Sequence, residues 1–375
     1  MPLRVLALEP YYGGSHRAFL DGYRRASRHS LNLLTMPARK WKWRMRGAAL
    51  TMGRRIQGMD EDFDIVFASD YVDLATLKAL AGERLRGVPL VSYFHENQIT
   101  YPVQEGQEVD YQYGFTNMTT CLTADRVLFN SRYHLESFLE GTREILGKMP
   151  DCVPRWVPGE IRERSEVVPV GVDLETVDRR RADAPARSGP LTILWNHRWE
   201  FDKGPDEFFE VVMRLAEEGE DFRLAVVGES FERVPEVFEE ARRRLGDRAE
   251  VFGYVPSREA YCDVLLGSDV VGSTALHEFF GVSVVEAMYA GCAPLLPDRL
   301  SYPEILPDQW HKTCLYQDTE ELADALRHWI RHPAQARKID PSRDMRRFGW
   351  SEVAPRLDQA LEEFSGRPAG DRPGI

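Results

Sequence analysis

Two cations in the C-terminal half of the chain have the residue types and the spacing of a diphosphate site. Arg198 and Lys203 lie five residues apart, directly after the apolar segment Ile193–Trp195. Arginine presents a fork of donors and lysine a point charge, which together suit a leaving group that accumulates negative charge on its oxygens. Two solvated loop charges are the alternative interpretation of the pair taken alone.

A pair of glutamates follows the apolar segment Val270–Ser273. Glu278 and Glu286 lie eight residues apart, and Phe280 and Gly281 stand between them. Gly281 lets the chain turn into a helix, and Glu286 falls about one and a half turns into that helix, where its carboxylate can accept two ribose hydroxyls. Either glutamate alone could be an exposed helix charge, so the combination with the Phe-Gly pair carries the prediction.

Two adjacent glycines, Gly13 and Gly14, follow the first apolar segment. Bare backbone amides at such a turn can bind a phosphate, assisted by the dipole of the helix that follows. Ser15 is the expected N-cap of that helix. A plain tight turn explains two glycines equally simply, so this signal is weak by itself.

These loops need a scaffold of buried strands that alternate with helices. Short apolar segments with the length of doubly covered strands recur in two series. The first series is Leu3–Leu8, Ile65–Ala68, Leu90–Phe94, Val127–Phe129 and Val167–Val170, and the second is Ile193–Trp195, Leu224–Val227, Val251–Gly253, Val270–Ser273 and Pro294–Leu296. The pattern predicts an α/β protein with two doubly wound Rossmann-like domains that face a central cleft, with the chemistry in the strand-to-helix loops.

The domain limits follow from the same pattern. We expect an N-terminal domain over 1–178 and a C-terminal domain over 190–349. An amphipathic helix over 350–364 is predicted to pack back toward the N-terminal domain. The Gly- and Pro-rich residues 365–375 are predicted to be disordered.

Composition limits the class of protein. The 375 residues suffice for two cores, and the mean hydropathy of −0.41 is that of an ordinary globular chain. The first residues read as a buried strand rather than a secretory signal, which predicts a cytoplasmic protein. The five cysteines are scattered without a Cys-x-x-Cys pair, which favours reduced core residues over disulfides or a zinc site.

The spacing of the C-terminal residues resembles the donor site of the retaining family-4 glycosyltransferases of the GT-B fold. The resemblance implies that Arg198 and Lys203 hold the donor diphosphate, Glu286 the ribose and Glu278 the transferred sugar. It also implies that the Gly13-Gly14 loop faces the donor.

Three further residues complete the donor site that the resemblance implies: Gly228, Phe280 and Gly281. The loop at Gly228 departs from the family, because it reads Gly-Glu-Ser-Phe where many relatives carry Gly-Asp-Gly. The preference for a nucleotide base therefore cannot be carried over from that loop.

The N-terminal half resembles the tRNA-queuosine mannosyltransferases, and the likeness extends from residue 3 to about residue 305. It rests on three stretches: Tyr93–Gln98 with Tyr101 and Pro102, Asp110–Gly114 with Asn117, and Phe129–Ser131 with His134. In that family the donor is GDP-mannose. The acceptor is the cyclopentene diol of queuosine at the wobble base of aspartate tRNA.

Within this half, His95 ends a buried strand, where its carbonyl and a neutral imidazole could face a sugar ring. We therefore assign His95 a catalytic role together with Arg198, Lys203 and Glu278. The expected acceptor contacts are His16, Glu96, Asn97 and Gln98. A core histidine and simple loop capping are the alternative interpretations.

A basic segment fits an RNA acceptor. The chain carries a net charge of −12, yet no acidic residue lies between Asp21 and Asp60. The acceptor residues predicted there are Arg39, Lys40, Trp41, Lys42, Trp43, Arg44 and Arg46. Tryptophan rings among basic side chains can stack on bases beside phosphates. A membrane-surface anchor and a merely solvated basic face also match this composition.

The expected reaction needs no metal, because cations, backbone amides and a helix N-terminus can share the charge of the leaving diphosphate. Asp-x-Asp triplets occur only at 60–64, before the segment Ile65–Ala68 and outside the loops that carry these groups. The expected partners are a nucleotide sugar and tRNA, without integral membrane association. A family-4 glycosyltransferase that acts on a membrane lipid or another small acceptor, a sugar-nucleotide epimerase and an inactive binding module remain alternatives. The sequence leaves the general base and the oligomeric state open.

Overall fold

The computed structural model describes residues 1–102, 110–230 and 234–365. The chain divides into two compact units. The first contains residues 1–171 and the C-terminal part from Trp350, and the second contains Val172–Gly349. The first segment of the first unit therefore ends at residue 171, seven residues before the limit expected at residue 178.

The first unit is built on a six-stranded parallel sheet. Its strands are β1 (Arg4–Tyr12), β2 (Ser30–Pro37), β3 (Ile65–Ser69), β4 (Leu90–Phe94), β5 (Arg126–Phe129) and β6 (Ser165–Val167). They lie in the order β2-β1-β3-β4-β5-β6. All five residues of β3 and of β4 are buried, as expected of strands that are covered on both faces.

Helices connect these strands. In chain order they are α1 (Gly14–Ala26), α2 (Trp41–Gln57), α3 (Leu74–Ala81), α4 (Tyr111–Thr123), α5 (Arg132–Gly147) and α6 (Val157–Glu163). Side-chain caps define three of their starts, because Asp73, Asp110 and Ser131 accept hydrogen bonds from the first-turn amides of α3, α4 and α5.

The second unit also carries a six-stranded parallel sheet. Its strands are β7 (Leu191–Trp195), β8 (Phe222–Val227), β9 (Ala249–Gly253), β10 (Val270–Gly272), β11 (Ala293–Pro297) and β12 (Leu315–Tyr316). The order is β12-β11-β10-β7-β8-β9, so the sequence direction reverses between β7 and β10. In open α/β sheets, ligands bind beyond the carboxyl ends of the strands at such a reversal.

Ten helices belong to the described part of the second unit. They are α7 (Glu175–Arg181), α8 (Pro205–Glu217), α9 (Val237–Leu245), α10 (Arg258–Gly267), α11 (Val282–Tyr289), α12 (Tyr302–Ile305), α13 (Asp308–Cys314), α14 (Thr319–Arg331), α15 (Pro333–Ala336) and α16 (Ser342–Met345). Short 3-10 turns lie at Gly82–Leu85 in the first unit and at Phe201–Lys203, Gly246–Arg248 and Arg346–Phe348 in the second.

The last helix, α17 (Trp350–Ser365), packs in the first unit. The Trp350 ring lies against Gly22 and Gly171, where an added methyl group would come within 2.3 and 2.4 Å of it. Buried Asp358 accepts hydrogen bonds from the Tyr23 hydroxyl at 2.8 Å and from the Ser27 hydroxyl at 2.6 Å. Ser365 ends the helix rather than starting a tail, and residues 366–375 lie outside the described residues.

Several local expectations were wrong. Strand β2 was missed because it lies at the sheet edge and alternates between exposed and buried residues. Strand β6 ends at Val167 instead of spanning Val167–Val170. Helix α1 begins at Gly14, with Gly13 as its N-cap, so Ser15 is not the cap.

The five cysteines are unpaired; four are buried and Cys152 is exposed. In the described ranges, every helix is too short or too polar to cross a membrane.

Candidate active site

Two loops meet at the strand reversal of the second unit. The loop after β7 carries Arg198 and Lys203, and the loop after β10 carries Glu278. The backbone amides of Leu276 and His277 donate to the carbonyl of Asp202 at 2.9 and 3.1 Å, which fixes one loop against the other. The sequence therefore predicted correctly which loops hold these side chains, and the sheet order explains why they meet.

Lys203 is the buried centre of this cluster. Its Nζ donates to the carbonyl of His277 at 2.8 Å and lies 3.1 Å from Asp202 Oδ2 and 3.3 Å from Glu278 Oε2. Only 7% of the lysine side chain is exposed. A single ammonium group thus balances two carboxylates.

Arg198 is the more accessible cation, with 42% of its side chain exposed. It pairs with Glu200 at 2.9 Å and approaches Asp202 Oδ2 at 3.7 Å. Two carboxylates therefore contact the guanidinium, and part of the side chain remains exposed.

The charges of this cluster perturb its titratable groups. Burial alone would raise the pKa of Glu278, but the ammonium of Lys203 and smaller contributions from the nearby imidazoles and a backbone amide together lower that pKa to about 2. Burial and the same ammonium lower the pKa values of His197 and His277 to about 4. At neutral pH the cluster therefore holds an ionised glutamate beside two neutral imidazoles.

Glu286 lies in a network that the sequence did not reveal. Its Oε1 pairs with Arg258 at 2.7 Å, and its Oε2 accepts from the Tyr261 hydroxyl at 3.1 Å. Burial raises the pKa of Glu286, and Arg258 opposes that shift. Asn196 Nδ2 donates to the Tyr261 oxygen at 3.0 Å, which ties helix α10 to the loop after β7. Each carboxylate oxygen keeps acceptor capacity for a further hydroxyl.

The remaining predicted donor residues play different structural parts. Gly281 is the N-cap of α11 in a left-handed conformation, with φ of 94°. Phe280 is buried and packs edge-on against Phe348. At Gly228 a side chain would come within 1.9 Å of the His197 carbonyl, so only glycine fits there. Phe231, the last residue of the Gly-Glu-Ser-Phe stretch that begins at Gly228, lies outside the described residues.

The first unit gathers a second cluster, also at the point where its strand order reverses, between β1 and β3. Glu9, the buried carboxylate on β1, accepts from the Tyr11 amide at 2.8 Å and contacts His16 Nδ1 at 3.0 Å. The His16 ring lies 4.4 Å from that of His95, centroid to centroid. His95 donates its backbone amide to Asp70 at 2.9 Å.

The two histidines differ in charge. Burial opposes protonation of His16, but Glu9 outweighs it and raises the His16 pKa to about 9. Burial, together with the charge on His16, lowers the pKa of His95 well below 6.5. The His95 imidazole is therefore neutral at neutral pH, as the sequence analysis expected, and it lies beside the cationic His16. The His95 carbonyl accepts from Asn130 Nδ2 at 2.9 Å.

The predicted acceptor residues separate into two kinds. Glu96 accepts from the Tyr71 hydroxyl at 2.6 Å and from Gln98 Nε2 at 3.1 Å, and both remain partly exposed. Asn97 is fully buried, and its Oδ1 accepts from the amides of Ile99 and Thr100, so this oxygen caps the loop. His16 is buried against Glu9 rather than open to solvent.

The glycine loop and the basic segment complete the predicted residues. Gly13 and Gly14 join β1 to α1, with an Ala38 side chain against Gly13. Most basic side chains named from the sequence lie on α2 or directly before it. Arg46 lies over the Tyr113 ring at 4.8 Å, and Arg44 donates to the Pro37 carbonyl at 3.0 Å.

Among the residues that the structure describes, one group has metal-ligand character: Glu9, His16 and His95, whose ligand atoms all lie within 4.8 Å of one another. A protonated His16 already neutralises Glu9, and a metal would have to displace that proton. The expectation that the protein needs no metal stays a prediction.

Comparison with solved structures defines the class of protein. A sucrose-phosphate synthase from Thermosynechococcus elongatus superposes with a TM-score of 0.75, at 15% identity, over 96% of this chain and 98% of its own. A UDP-forming trehalose-phosphate synthase from Burkholderia xenovorans gives 0.68 at 14% identity, over 98% and 100%. Residues 177–343 match the family of glycosyl transferases group 1. The chain is a glycosyltransferase of the GT-B fold.

Sequence relatives define the family more narrowly. Residues 4–172 match the N-terminal domain of tRNA-queuosine alpha-mannosyltransferase. The chain is 36% identical over 341 residues to the tRNA-queuosine alpha-mannosyltransferase of Drosophila melanogaster, with 89% of each covered. It is 28% identical to a GDP-mannose-dependent phosphatidylinositol dimannoside mannosyltransferase of Mycobacterium tuberculosis, over 50% of this chain and 49% of that one. The chain belongs to the tRNA-queuosine alpha-mannosyltransferase family.

Proposed function

We propose that this protein transfers mannose from GDP-mannose to the cyclopentene diol of queuosine in the anticodon of aspartate tRNA. The observation that carries the proposal is the 36% identity, over 89% of both chains, to a tRNA-queuosine alpha-mannosyltransferase. The arrangement of charges in the two units supports it, because each cluster suits one part of this reaction.

The second unit supplies the donor site in this proposal. The exposed part of the Arg198 guanidinium binds the diphosphate, with Lys203 behind it as a buried positive charge. Glu286 accepts the ribose hydroxyls with the acceptor capacity that Arg258 and Tyr261 leave open. The N-terminal amides of α11 add to the positive potential around the phosphates.

The chemistry requires one bond to break and one to form. The bond between the anomeric carbon of mannose and the diphosphate oxygen breaks, and GDP leaves with the electron pair. A hydroxyl oxygen of the acceptor bonds to the anomeric carbon on the face that GDP vacates, and its proton passes to a diphosphate oxygen. An alpha linkage made from an alpha-linked donor is retention, which fits the alpha-mannosyltransferase name of the relative.

Charge stabilisation is the main task of the protein in this scheme. Negative charge grows on the diphosphate in the transition state, and preorganised cations lower the barrier because they need not reorient. Glu278 stays ionised beside Lys203, and we assign it to the hydroxyls of the transferred sugar. The ion pair keeps Lys203 fixed when no donor is bound.

The first unit supplies groups for the sugar and the acceptor. His95 as a neutral imidazole can both donate and accept a hydrogen bond, which suits a sugar hydroxyl. Glu96 and Gln98, already joined to one another, offer an acceptor and a donor at hydrogen-bonding distance, which suits a vicinal diol.

Incubation with a panel of nucleotide sugars tests the proposal. The protein is mixed with each sugar nucleotide and with queuosine-containing or queuosine-lacking tRNA, and the nucleosides are analysed by mass spectrometry. We expect a hexose added to queuosine only with GDP-mannose. Modification of queuosine-lacking tRNA, or transfer only from another nucleotide sugar, would contradict the proposal. Arg198→Ala, which we expect to transfer mannose far more slowly, serves as the control.

A further inference from the structure

The outer face of helix α2 carries a flat aromatic surface. Trp43 is 59% exposed although it is a large apolar side chain, and Gly47 lies one turn further along the same helix. A methyl group at Gly47 would come within 2.8 Å of the indole carbon Cζ2. The benzo ring of Trp43 therefore lies directly over the bare backbone at Gly47, and its other side faces outward.

The missing side chain at Gly47 determines this geometry. Residues four apart lie one above the other on a helix face, so most side chains at position 47 would push the indole away from the helix. Contact with the helix restricts the rotation of the ring before any ligand binds. A restricted aromatic ring loses less conformational entropy when it stacks on a partner.

The surroundings of the ring are cationic. The exposed face of α2 continues from Trp43 through Leu50 to Arg54, with Arg46 and Arg55 on either side. Ten basic and no acidic residues lie between Asp21 and Asp60, in a chain whose net charge is −12. A planar ring within a positive surface is complementary to an unstacked base next to phosphates.

A membrane surface is less suited to this helix. The apolar residues of α2 point inward, since Met45, Ala48, Ala49, Met52 and Ile56 are all buried. The exposed large apolar side chains of α2 are Trp43 and Leu50, and two side chains give only a narrow apolar face. Helices that lie in a membrane interface instead have a broad apolar side.

We propose that the Trp43 ring, held flat by Gly47, is a stacking platform for an unpaired base of the RNA acceptor. The inference rests on the proposed function, because it takes the acceptor to be tRNA. A loop nucleotide is the required form of the ligand, since bases inside a helix have both faces covered. The basic side chains of α2 would contact the phosphates on either side of that base.

Filter binding of queuosine-containing aspartate tRNA at several salt concentrations tests the platform. We expect Trp43→Ala to weaken binding by about tenfold to a hundredfold. The slope of affinity against salt should not change, because stacking releases no counterions. Arg54→Ala should instead lower that slope. Gly47→Ala should weaken binding with the tryptophan still present, and Trp43→Phe should retain most of the affinity.

Trp156 provides the matched control, since this tryptophan is 60% exposed elsewhere in the first unit. Trp156→Ala should bind tRNA like the wild type, and thermal unfolding of every variant checks that the fold is intact. Equal affinities for Trp43→Ala and Trp156→Ala would overturn the platform. Loss of binding to phosphatidylglycerol vesicles, with tRNA affinity unchanged, would overturn it in favour of a membrane.

The proposed function and the platform fail in different ways. If the wild-type protein neither binds nor mannosylates tRNA, the proposed function is wrong. If the wild type modifies tRNA and Trp43→Ala binds and modifies it equally well, only the platform is wrong.

Discussion

Each of the two units contains a buried ion pair next to a neutral imidazole, and the group at the centre of the pair is an ammonium in one unit and a carboxylate in the other. In the second unit the buried ammonium of Lys203 helps to lower the pKa of Glu278 to about 2, and burial together with that ammonium keeps His197 and His277 neutral. In the first unit the buried carboxylate of Glu9 raises the pKa of His16 to about 9, and burial together with that cation keeps His95 neutral. In both units a buried ion pair therefore adds to the effect of burial on a neighbouring imidazole.

The clusters of the two units differ in how much of their charged side chains is exposed to solvent. Next to the Lys203 pair, Arg198 still exposes 42% of its side chain, so positive charge is available to an anionic ligand. The pair in the first unit is closed, with 8% of His16 and 3% of Glu9 exposed. The second unit therefore leaves positive charge exposed, whereas the first unit encloses its charged pair beside a neutral imidazole.

The largest expected effect is on turnover, from removing the cations of the second unit. Arg198→Ala and Lys203→Ala should each lower kcat by about a hundredfold to a thousandfold, because each removes a preorganised charge from the leaving diphosphate. Transfer of labelled mannose measures the rate. Arg214→Ala, which removes an arginine from an exposed ion pair with Glu320, is the control and should leave kcat unchanged.

The same two variants should differ in stability. Lys203→Ala leaves Glu278 buried without its cation and leaves Asp202 only the longer 3.7 Å contact with Arg198, which costs about 3–5 kcal/mol in the free energy of unfolding. Arg198→Ala removes a partly exposed charge and should unfold like the wild type. Wild-type turnover in both variants would contradict the diphosphate assignment. Equal stabilities of the two variants would contradict the difference between the buried Lys203 and the partly exposed Arg198.

The two ion pairs should also affect stability at opposite ends of the pH range. The His16 pKa is raised from 6.5 to about 9, so the pair contributes about 3 kcal/mol below pH 6.5, and that contribution disappears as pH rises through 9. The Glu278 pKa is lowered from 4.5 to about 2, so its contribution of about 3 kcal/mol is present above pH 4.5 and is lost as pH falls through 2.

Denaturant unfolding across pH measures both effects. The double variant Glu9→Gln/His16→Asn should flatten only the alkaline decline, and Lys203→Met/Glu278→Gln only the acid decline. A double variant that changed neither limb would show that its pair does not act as described.

A smaller effect is expected on nucleotide binding. Glu286→Ala should weaken the affinity for free GDP by about tenfold, because a charged acceptor of the ribose hydroxyls is lost in the ground state as well as in the transition state. Glu278→Ala should lower kcat more than it lowers GDP affinity, since GDP carries no mannose. Calorimetric titration with GDP separates the two, and unchanged affinity after removal of Glu286 would be incompatible with its ribose role.

The smallest expected effect is that of metal removal. We expect dialysis against EDTA to leave mannose transfer unchanged, because the cations of the second unit perform the task that a divalent ion performs elsewhere. Activity that falls with EDTA and returns with a divalent cation would contradict the prediction, and Glu9, His16 and His95 would then be the first residues to test as ligands.

Sequence reasoning placed the predicted donor residues in the correct loops because they follow strands whose apolar character is unmistakable. Arg198, Lys203 and Glu278 could be assigned to loops, and parallel strands bring their carboxyl ends to one edge. Arg258 and Tyr261 could not be foreseen as partners of Glu286, because they lie on α10, a helix whose orientation depends on packing rather than on local pattern. Their contact appears only when α10 and α11 are placed side by side.

The first unit was harder to predict for a related reason. Glu9 ends an apolar run, and no spacing rule connects a carboxylate on β1 with His16 on the following helix and His95 after β4. Asn97 and His16 were expected to face an acceptor as polar loop residues. Burial decides their roles instead, since Asn97 caps its own loop and His16 is enclosed beside Glu9.

The position of α17 has a consequence for biosynthesis. The first unit consists of two chain segments separated by the whole of the second unit, and its last helix supplies Trp350 and Asp358 to residues near the N-terminus. At 5–20 residues per second, the ribosome adds this helix roughly 10–40 s after residue 171. During that interval the second unit is synthesised, and Tyr23 lacks its carboxylate partner. The unit that begins first on the ribosome is thus the last to be completed.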